Sequence, residues 1–315
     1  MKTVSIAGLG WLGMPLALHL ADIGIRVKGT KTTPDGTEAA RMCGIECYML
    51  NLTPEPECNA DDLDAFLQTD ILVITLPASR TAGGGYLYVK AVQNLVDLAA
   101  ARGVSRVIFT GSTAVYGNQT GKLTENSPVD PVTESAKAIV EIEHWLNELP
   151  GVSADILRLA GLVGESRHAG RFLAGKTAVK GANQPVNLVH QDDVIAAIRL
   201  LILRPHGGHL YNLCAPQHPS RAEFYPDMSR QINLLPPVFR EEDITEGKEI
   251  DGSRICRELG FEYQYPDPGR MPMTECTGPV MPRSVRYPVP FGRICSSAVC
   301  TCVCVPHWAE ILPSR

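Results

Sequence analysis

The residues Gly8-Leu9-Gly10-Trp11-Leu12-Gly13 carry three glycines at the spacing that lets a backbone cradle a diphosphate. Gly8 permits a tight turn, Gly10 lets the main chain approach a pyrophosphate, and Gly13 lets a helix close onto a strand. Unpaired N–H groups at that helix's start then point towards the phosphates. Trp11 and Leu12 complete the loop. About twenty positions further on, an NAD site would place an acidic residue against the ribose hydroxyls, whereas this chain has Thr30-Lys31-Thr32. A cation flanked by hydroxyls suits a 2′-phosphate better than a bare 2′-hydroxyl, so NADP is expected ahead of NAD. A solvated lysine at a strand end is the plain alternative.

The elements around these glycines follow the order such binding needs. Val4 to Ala7 is a short apolar strand, Met14 to Ala21 reads as a helix that tolerates Pro15 in its first turn, and Ile25 to Thr30 reads as a second strand. Asp70 to Pro77 is a continuous apolar run, the pattern of a central parallel strand buried on both faces. Its end, Leu76-Pro77, is expected beside the cofactor, and residues 80–85 read as a glycine-rich connection. Val104 to Thr110 is another buried strand, and Ser112 follows at its end, where ligands collect in open α/β sheets. From Glu134 to Leu149 a helix puts Ile139, Ile142, Leu146 and Leu149 on one face and Lys137 in its first turn. Thr133 reads as the N-cap of that helix, with Glu134 complementing the dipole.

Phe109 to Lys137, FTGSTAVYG followed by PVDPVTESAK, resembles the active-site segment of the extended short-chain dehydrogenase/reductase family, whose members include NAD-dependent epimerases and dehydratases. That segment has a serine at a strand end, a Val-Tyr-Gly turn, and a helix carrying Tyr-x-x-x-Lys. Arg158 with Gly164, the stretch PVNLVHQDDV and the strand GHLYNL extend the resemblance. GRFLAGKTA, YNLCAPQHPSRAEFYP and DGSRICRELGFEYQYPDP are similar to an atypical branch, the YeeZ-like proteins. The resemblance implies that Ser112 polarises a carbonyl and that Lys137 holds the nicotinamide ribose. It also implies a tyrosine where this chain has Thr133. A phenol, with a free pKa near about 10, can be brought towards neutrality by cationic neighbours, and an aliphatic hydroxyl cannot. Water or the substrate would then supply the proton. Tyr86 and Lys90 repeat the spacing, but ahead of Ser112, and read as the wet side of a helix. Arg171 and Lys176 lie where extended members place substrate-binding residues, which points to an anionic substrate or else to a solvated loop. GLGWLGMPLA followed by ITLP is also similar to the β-hydroxyacid dehydrogenases, a reading that would need a long all-helical second half.

Length and composition bound the rest. With 315 residues, 44 % hydrophobic and 20 % charged, and a net charge of −5, the chain lacks the basic excess of a nucleic-acid binder. No apolar run approaches membrane-spanning length, and the N-terminus passes at once into glycines, so a cytoplasmic protein is expected. Scattered cysteines without paired spacing read as reduced thiols, and no metal site is expected. The expected fold is α/β: a Rossmann-type doubly wound parallel sheet with a small C-terminal substrate lobe. Residues 1–204 would form the NAD(P)-binding domain, with part of the lobe near 165–185, and 205–273 the remaining lobe. Residues 274–315, rich in Cys and Pro, read as a disordered extension. The function expected is an NAD(P)-dependent oxidoreductase or epimerase/dehydratase-like enzyme acting on a small metabolite, with a homodimer possible. A non-catalytic NAD(P)-binding sensor or scaffold is the alternative, and a β-hydroxyacid dehydrogenase-like enzyme a further one.

Overall fold

The apolar runs form strands that are buried on both faces, as a parallel sheet covered by helices requires. A computed structural model describes residues 2–78, 85–240 and 245–274. The glycine-rich connection expected over 80–85 lies almost wholly outside the described residues, and so does the tail expected from 274 onward, apart from Thr274. Seven strands make one sheet: β1 (Thr3–Ala7), β2 (Arg26–Lys31), β3 (Glu46–Met49), β4 (Ile71–Ile74), β5 (Arg106–Ser112), β6 (Ser153–Leu159) and β7 (Leu210–Leu213). Their spatial order is β3-β2-β1-β4-β5-β6-β7, and every pairing is parallel. The winding reverses between β1 and β4, so the crevice beyond the carboxyl ends of those two strands is where a doubly wound sheet binds its ligand.

The connecting helices are α1 (Gly13–Asp22), α2 (Pro34–Met42), α3 (Ala60–Leu67), α4 (Gly85–Ala101), α5 (Glu134–Glu148) and α6 (Gln191–Leu203), with α7 (Arg221–Gln231) and α8 (Arg254–Leu259) beyond. On α4, Tyr88, Val89, Val92, Leu95, Val96 and Ala99 are buried, while Tyr86 is exposed. This is the helical stripe that its spacing predicts. Tyr86 stacks with Lys90 of the same helix, whose Nζ lies 5.8 Å from the ring centre.

The stretch that joins Arg158 to Gly164 is broken after Leu159: β6 stays in the main sheet, and Gly161–Val163 leaves it to pair with Leu188–His190. The second pairing brings Leu188 close over Gly161, where a Cβ would come within 2.6 Å of Leu188 Cδ2. Beyond residue 205, β7 still belongs to the main sheet. A smaller core of Val163, Ala169, Val186, Leu188, Ala215, Phe224, Met228, Met271 and Met273 draws on both sides of 205. Among the scattered cysteines, Cys47, Cys58, Cys214 and Cys256 are free thiols, while Cys43 is disulfide-bonded. No helix among the described residues is long and apolar enough to cross a membrane.

Candidate active site

The glycine loop is held by the ends of two strands. The Gly8 amide donates to Thr30 Oγ1 at 3.0 Å and the Leu9 amide to the Thr30 carbonyl at 2.9 Å, which ties the loop to the end of β2. From the end of β4, Thr75 Oγ1 donates to the carbonyl of Gly8 at 2.7 Å. Thr30 is buried, so its hydroxyl belongs to the scaffold beneath the loop, while Lys31 stands half-buried at the strand end. Leu76 packs against Gly8, whose φ of +95° suits only glycine well, and Pro77 is exposed beyond it.

At the mouth of this loop the backbone is open. A Cβ at Gly10 would meet nothing within 4 Å, and Leu12, at the N-cap of α1, gives no side-chain cap to the first turn. First-turn amides without a cap at the positive end of a helix dipole are the donors that a diphosphate needs. The loop therefore fits the diphosphate of a nicotinamide dinucleotide.

Trp11 leaves the loop towards the other half of the chain. Its Nε1 donates to the carbonyl of Glu165 at 2.8 Å, its own carbonyl accepts from Gln191 Nε2 at 2.5 Å, and the Arg167 guanidinium lies 5.4 Å from its ring centre. Nothing in the glycine spacing signals these contacts. Thr75 and Gly29 were likewise not singled out from sequence, although a Cβ at Gly29 would collide with Leu9 at 2.4 Å.

Ser112 closes β5 and caps the short 3₁₀ turn Thr113–Tyr116, its Oγ accepting from the Ala114 amide at 3.1 Å. Thr133 has extended backbone angles and caps α5 by accepting from the Ala136 amide at 3.2 Å. Lys137, one turn into α5, donates to Glu134 Oε1 at 2.8 Å. Both members of that pair are exposed, and such a pair holds a side chain by only about 0.2–0.5 kcal/mol, so Lys137 is free to turn elsewhere. The ends of α4 and α5 meet close by: a Cβ at Gly85 would lie 2.7 Å from the Glu134 carbonyl.

Tyr116, the phenol nearest Ser112 in sequence, is fully buried and committed elsewhere. It donates to Asn212 Oδ1 at 2.7 Å, lies 3.0 Å from the Thr124 carbonyl, and accepts from Arg158 at 3.0 Å. Burial pushes its pKa up, against the downward pull of Arg158. Arg158 in turn donates to buried Glu143 at 2.6 Å. His190 caps α6 by accepting from the Asp192 amide, and Asp193 accepts from the amides of Gln264 and Tyr265. The structure therefore gives Tyr116, His190 and Asp193 structural bonds. Arg171 is exposed at the end of the short 3₁₀ turn Ala169–Arg171, whose other two residues are buried, and Lys176 is exposed beyond it.

Comparison with known proteins agrees with this geometry. A family model described as the NAD dependent epimerase/dehydratase family matches residues 4–214. Protein YeeZ of Escherichia coli K12 is 59 % identical over 274 residues, covering 87 % of this chain and all of that protein. A conserved protein of unknown function from Silicibacter pomeroyi superposes with a TM-score of 0.67 at 25 % identity, covering 85 % of this chain and 95 % of that one. A short-chain dehydrogenase/reductase superfamily protein from Agrobacterium tumefaciens, solved with bound NAD, gives a TM-score of 0.66 at 19 % identity, covering 84 % and 93 %. The β-hydroxyacid dehydrogenase reading falls, because the second half of the chain adds β6 and β7 to the same sheet where that reading needs helices alone.

Proposed function

From the premise that the chain belongs to the NAD dependent epimerase/dehydratase family, we propose that it is an NADP-preferring oxidoreductase or epimerase acting on a small anionic metabolite. NAD(P) binding goes with the family, and the observation that carries the reading is the open loop at Gly10 ahead of the uncapped first turn of α1. The amides of Trp11, Leu12 and Gly13 would hold the diphosphate, those of Gly8, Leu9 and Gly10 being bonded within the scaffold. Lys31 at the end of β2 would face the 2′-phosphate, and Leu76 would pack beside the cofactor. The bound nicotinamide supplies reversible acceptance of hydride from a substrate carbon.

Ser112 would donate a hydrogen bond to the substrate oxygen, and Lys137, released from Glu134, would hold the nicotinamide ribose. Thr133 would keep its place as the helix cap. Water or a substrate group then carries the proton that a phenol carries elsewhere in the family.

A second reading, a cofactor-binding sensor without turnover, is favoured by one specific observation: the hydroxyl at the position of the family's tyrosine is a helix cap. Calorimetry of the full chain with NADPH and NADH tests both readings, with NADPH expected to bind the more tightly. No binding of either removes both. A metabolite that raises the melting temperature of the NADPH complex without oxidising NADPH supports the sensor, and oxidation supports the enzyme.

A further inference from the structure

Lys248 begins the short strand Lys248–Ile250, which runs parallel to Gly121–Leu123 with Lys248 opposite Gly121. Its side chain crosses to the turn that follows Ser112. There Nζ donates to the Gly117 carbonyl at 2.8 Å and stands 3.5 Å from the carbonyl of Thr113, the residue next to Ser112. Lys248 is the one lysine that the described residues bring from beyond β7 onto this turn.

Among the described residues, the charges around Lys248 are committed elsewhere. Lys122, on the facing strand, is paired with Asp251 at 3.2 Å, and Glu125 accepts from the Asn212 amide. No carboxylate among the described residues lies within ion-pairing distance of Lys248, and burial alone holds its pKa below the ordinary lysine value. Lys248 is half-buried, and the fully buried cations differ from it. Arg106 pairs with Asp155 and Arg158 with Glu143. Lys28 also bonds two carbonyls, those of Ala65 and Gln68, yet it has Glu46 near enough to favour its charge. A partly desolvated ammonium with no counter-charge is costly to keep. Two carbonyls also leave one of its three N–H donors unused.

We propose that Lys248 is a substrate-binding residue whose ammonium receives an anionic oxygen group, carboxylate or phosphate, next to the group that Ser112 polarises. The proposal rests on the reading of Ser112 as the mark of the reacting centre. It supplies a half-buried cation for the anionic substrate, whereas Arg171 and Lys176 are exposed.

The test uses the full chain loaded with NADPH, titrated at constant ionic strength with inorganic phosphate and, separately, with oxalate. Thermal stability is followed together with acylation of Lys248 by an amine-reactive reagent, read by peptide mass spectrometry. At least one anion is expected to raise the melting temperature and to slow acylation of Lys248 about tenfold, the effect of an occupied charge-assisted bond. Protection by phosphate alone identifies a phosphorylated substrate, and protection by oxalate alone a carboxylate. Lys248→Met is expected to need about tenfold more anion for the same stabilisation. Lys248→Arg, which keeps the charge, is expected to stay close to the wild type.

Acylation that no anion slows, or a Lys248→Met chain that responds like the wild type, overturns the proposal. The acylation arm needs no variant, so a misfolded Lys248→Met leaves the outcome decided. A chain that binds no NADPH sinks the cofactor reading instead, and anion protection of Lys248 in the cofactor-free chain still decides this one.

Discussion

A Cβ built on Gly13 would stand 2.1 Å from the carbonyl oxygen of Gly8. The two glycines hold β1 and α1 together at the narrowest point of the loop. Gly13→Ala must push them apart, so a loss of stability is expected with or without cofactor. Gly10→Ala has open space, and its melting temperature without cofactor should stay near the wild-type value. NADPH should nevertheless bind it about tenfold or more weakly, because the added methyl occupies the path of the diphosphate. Equal NADPH affinity in Gly10→Ala and the wild type would remove the diphosphate from this loop.

Thr133→Ala is expected to cost about 1 kcal/mol of stability, the worth of a lost N-cap, and Thr133→Ser almost nothing. Denaturant unfolding of both variants decides this. Since Thr133 is read as a cap and not as a proton donor, NADPH affinity should not move in either. A shift confined to cofactor binding, with stability intact, would place Thr133 in the site.

The Tyr116, Arg158 and Glu143 cluster predicts a purely structural phenotype. Glu143→Gln leaves a buried guanidinium without its counter-charge, a change expected to cost about 3–5 kcal/mol. Tyr116→Phe strands the groups that its hydroxyl now joins and is expected to cost about 1–3 kcal/mol. Where the variants stay folded, calorimetry should return the wild-type NADPH affinity. A weakened affinity in Tyr116→Phe would give this phenol a part in the site.

Lys31→Asp should move cofactor preference from NADPH towards NADH, because a carboxylate repels a 2′-phosphate and accepts from a 2′-hydroxyl. The two dissociation constants measured side by side give the answer. An unchanged ratio would take Lys31 out of the site.

His19 on α1 predicts a pH dependence of stability. Burial holds its pKa below the free value of 6.5, helped by Arg199 and opposed by Asp22 and Asp192, and its Nε2 has no hydrogen-bond partner. A base with a lowered folded pKa contributes stability that is whole above 6.5 and is lost as the pH falls from there towards the folded value. The melting temperature of the wild type should therefore drop on acidification, and His19→Leu should flatten that part of the curve. Parallel curves for the two proteins would acquit His19.

What sequence made legible follows the range of the interaction. Ile71 to Ile74 and Val107 to Phe109 declare a buried parallel sheet because apolar character runs without a break, and the glycine loop declares itself by local spacing. The cap at Thr133 is local too, and so is the wet face bearing Tyr86. What stayed hidden depends on residues far apart in the chain. Thr75 reaches back to Gly8, Trp11 reaches forward to Glu165, and Lys248 returns to the turn at Gly117. No periodicity encodes such contacts. The break after Leu159 was hidden for the same reason, since only the pairing partner at Leu188 shows why Gly161 departs from the sheet.

Trp11 has a consequence for anyone wishing to treat the first half of this chain as a transferable part. The glycine loop would seem a module to be cut at the end of β4 and grafted onto another scaffold. Its indole, however, is seated against residues 165 and 167, and its carbonyl against 191. A graft carrying only residues 2–78 would bring along an aromatic side chain with no seat and a loop that has lost one of its tethers. The smallest portable unit of this protein therefore runs past the beginning of α6.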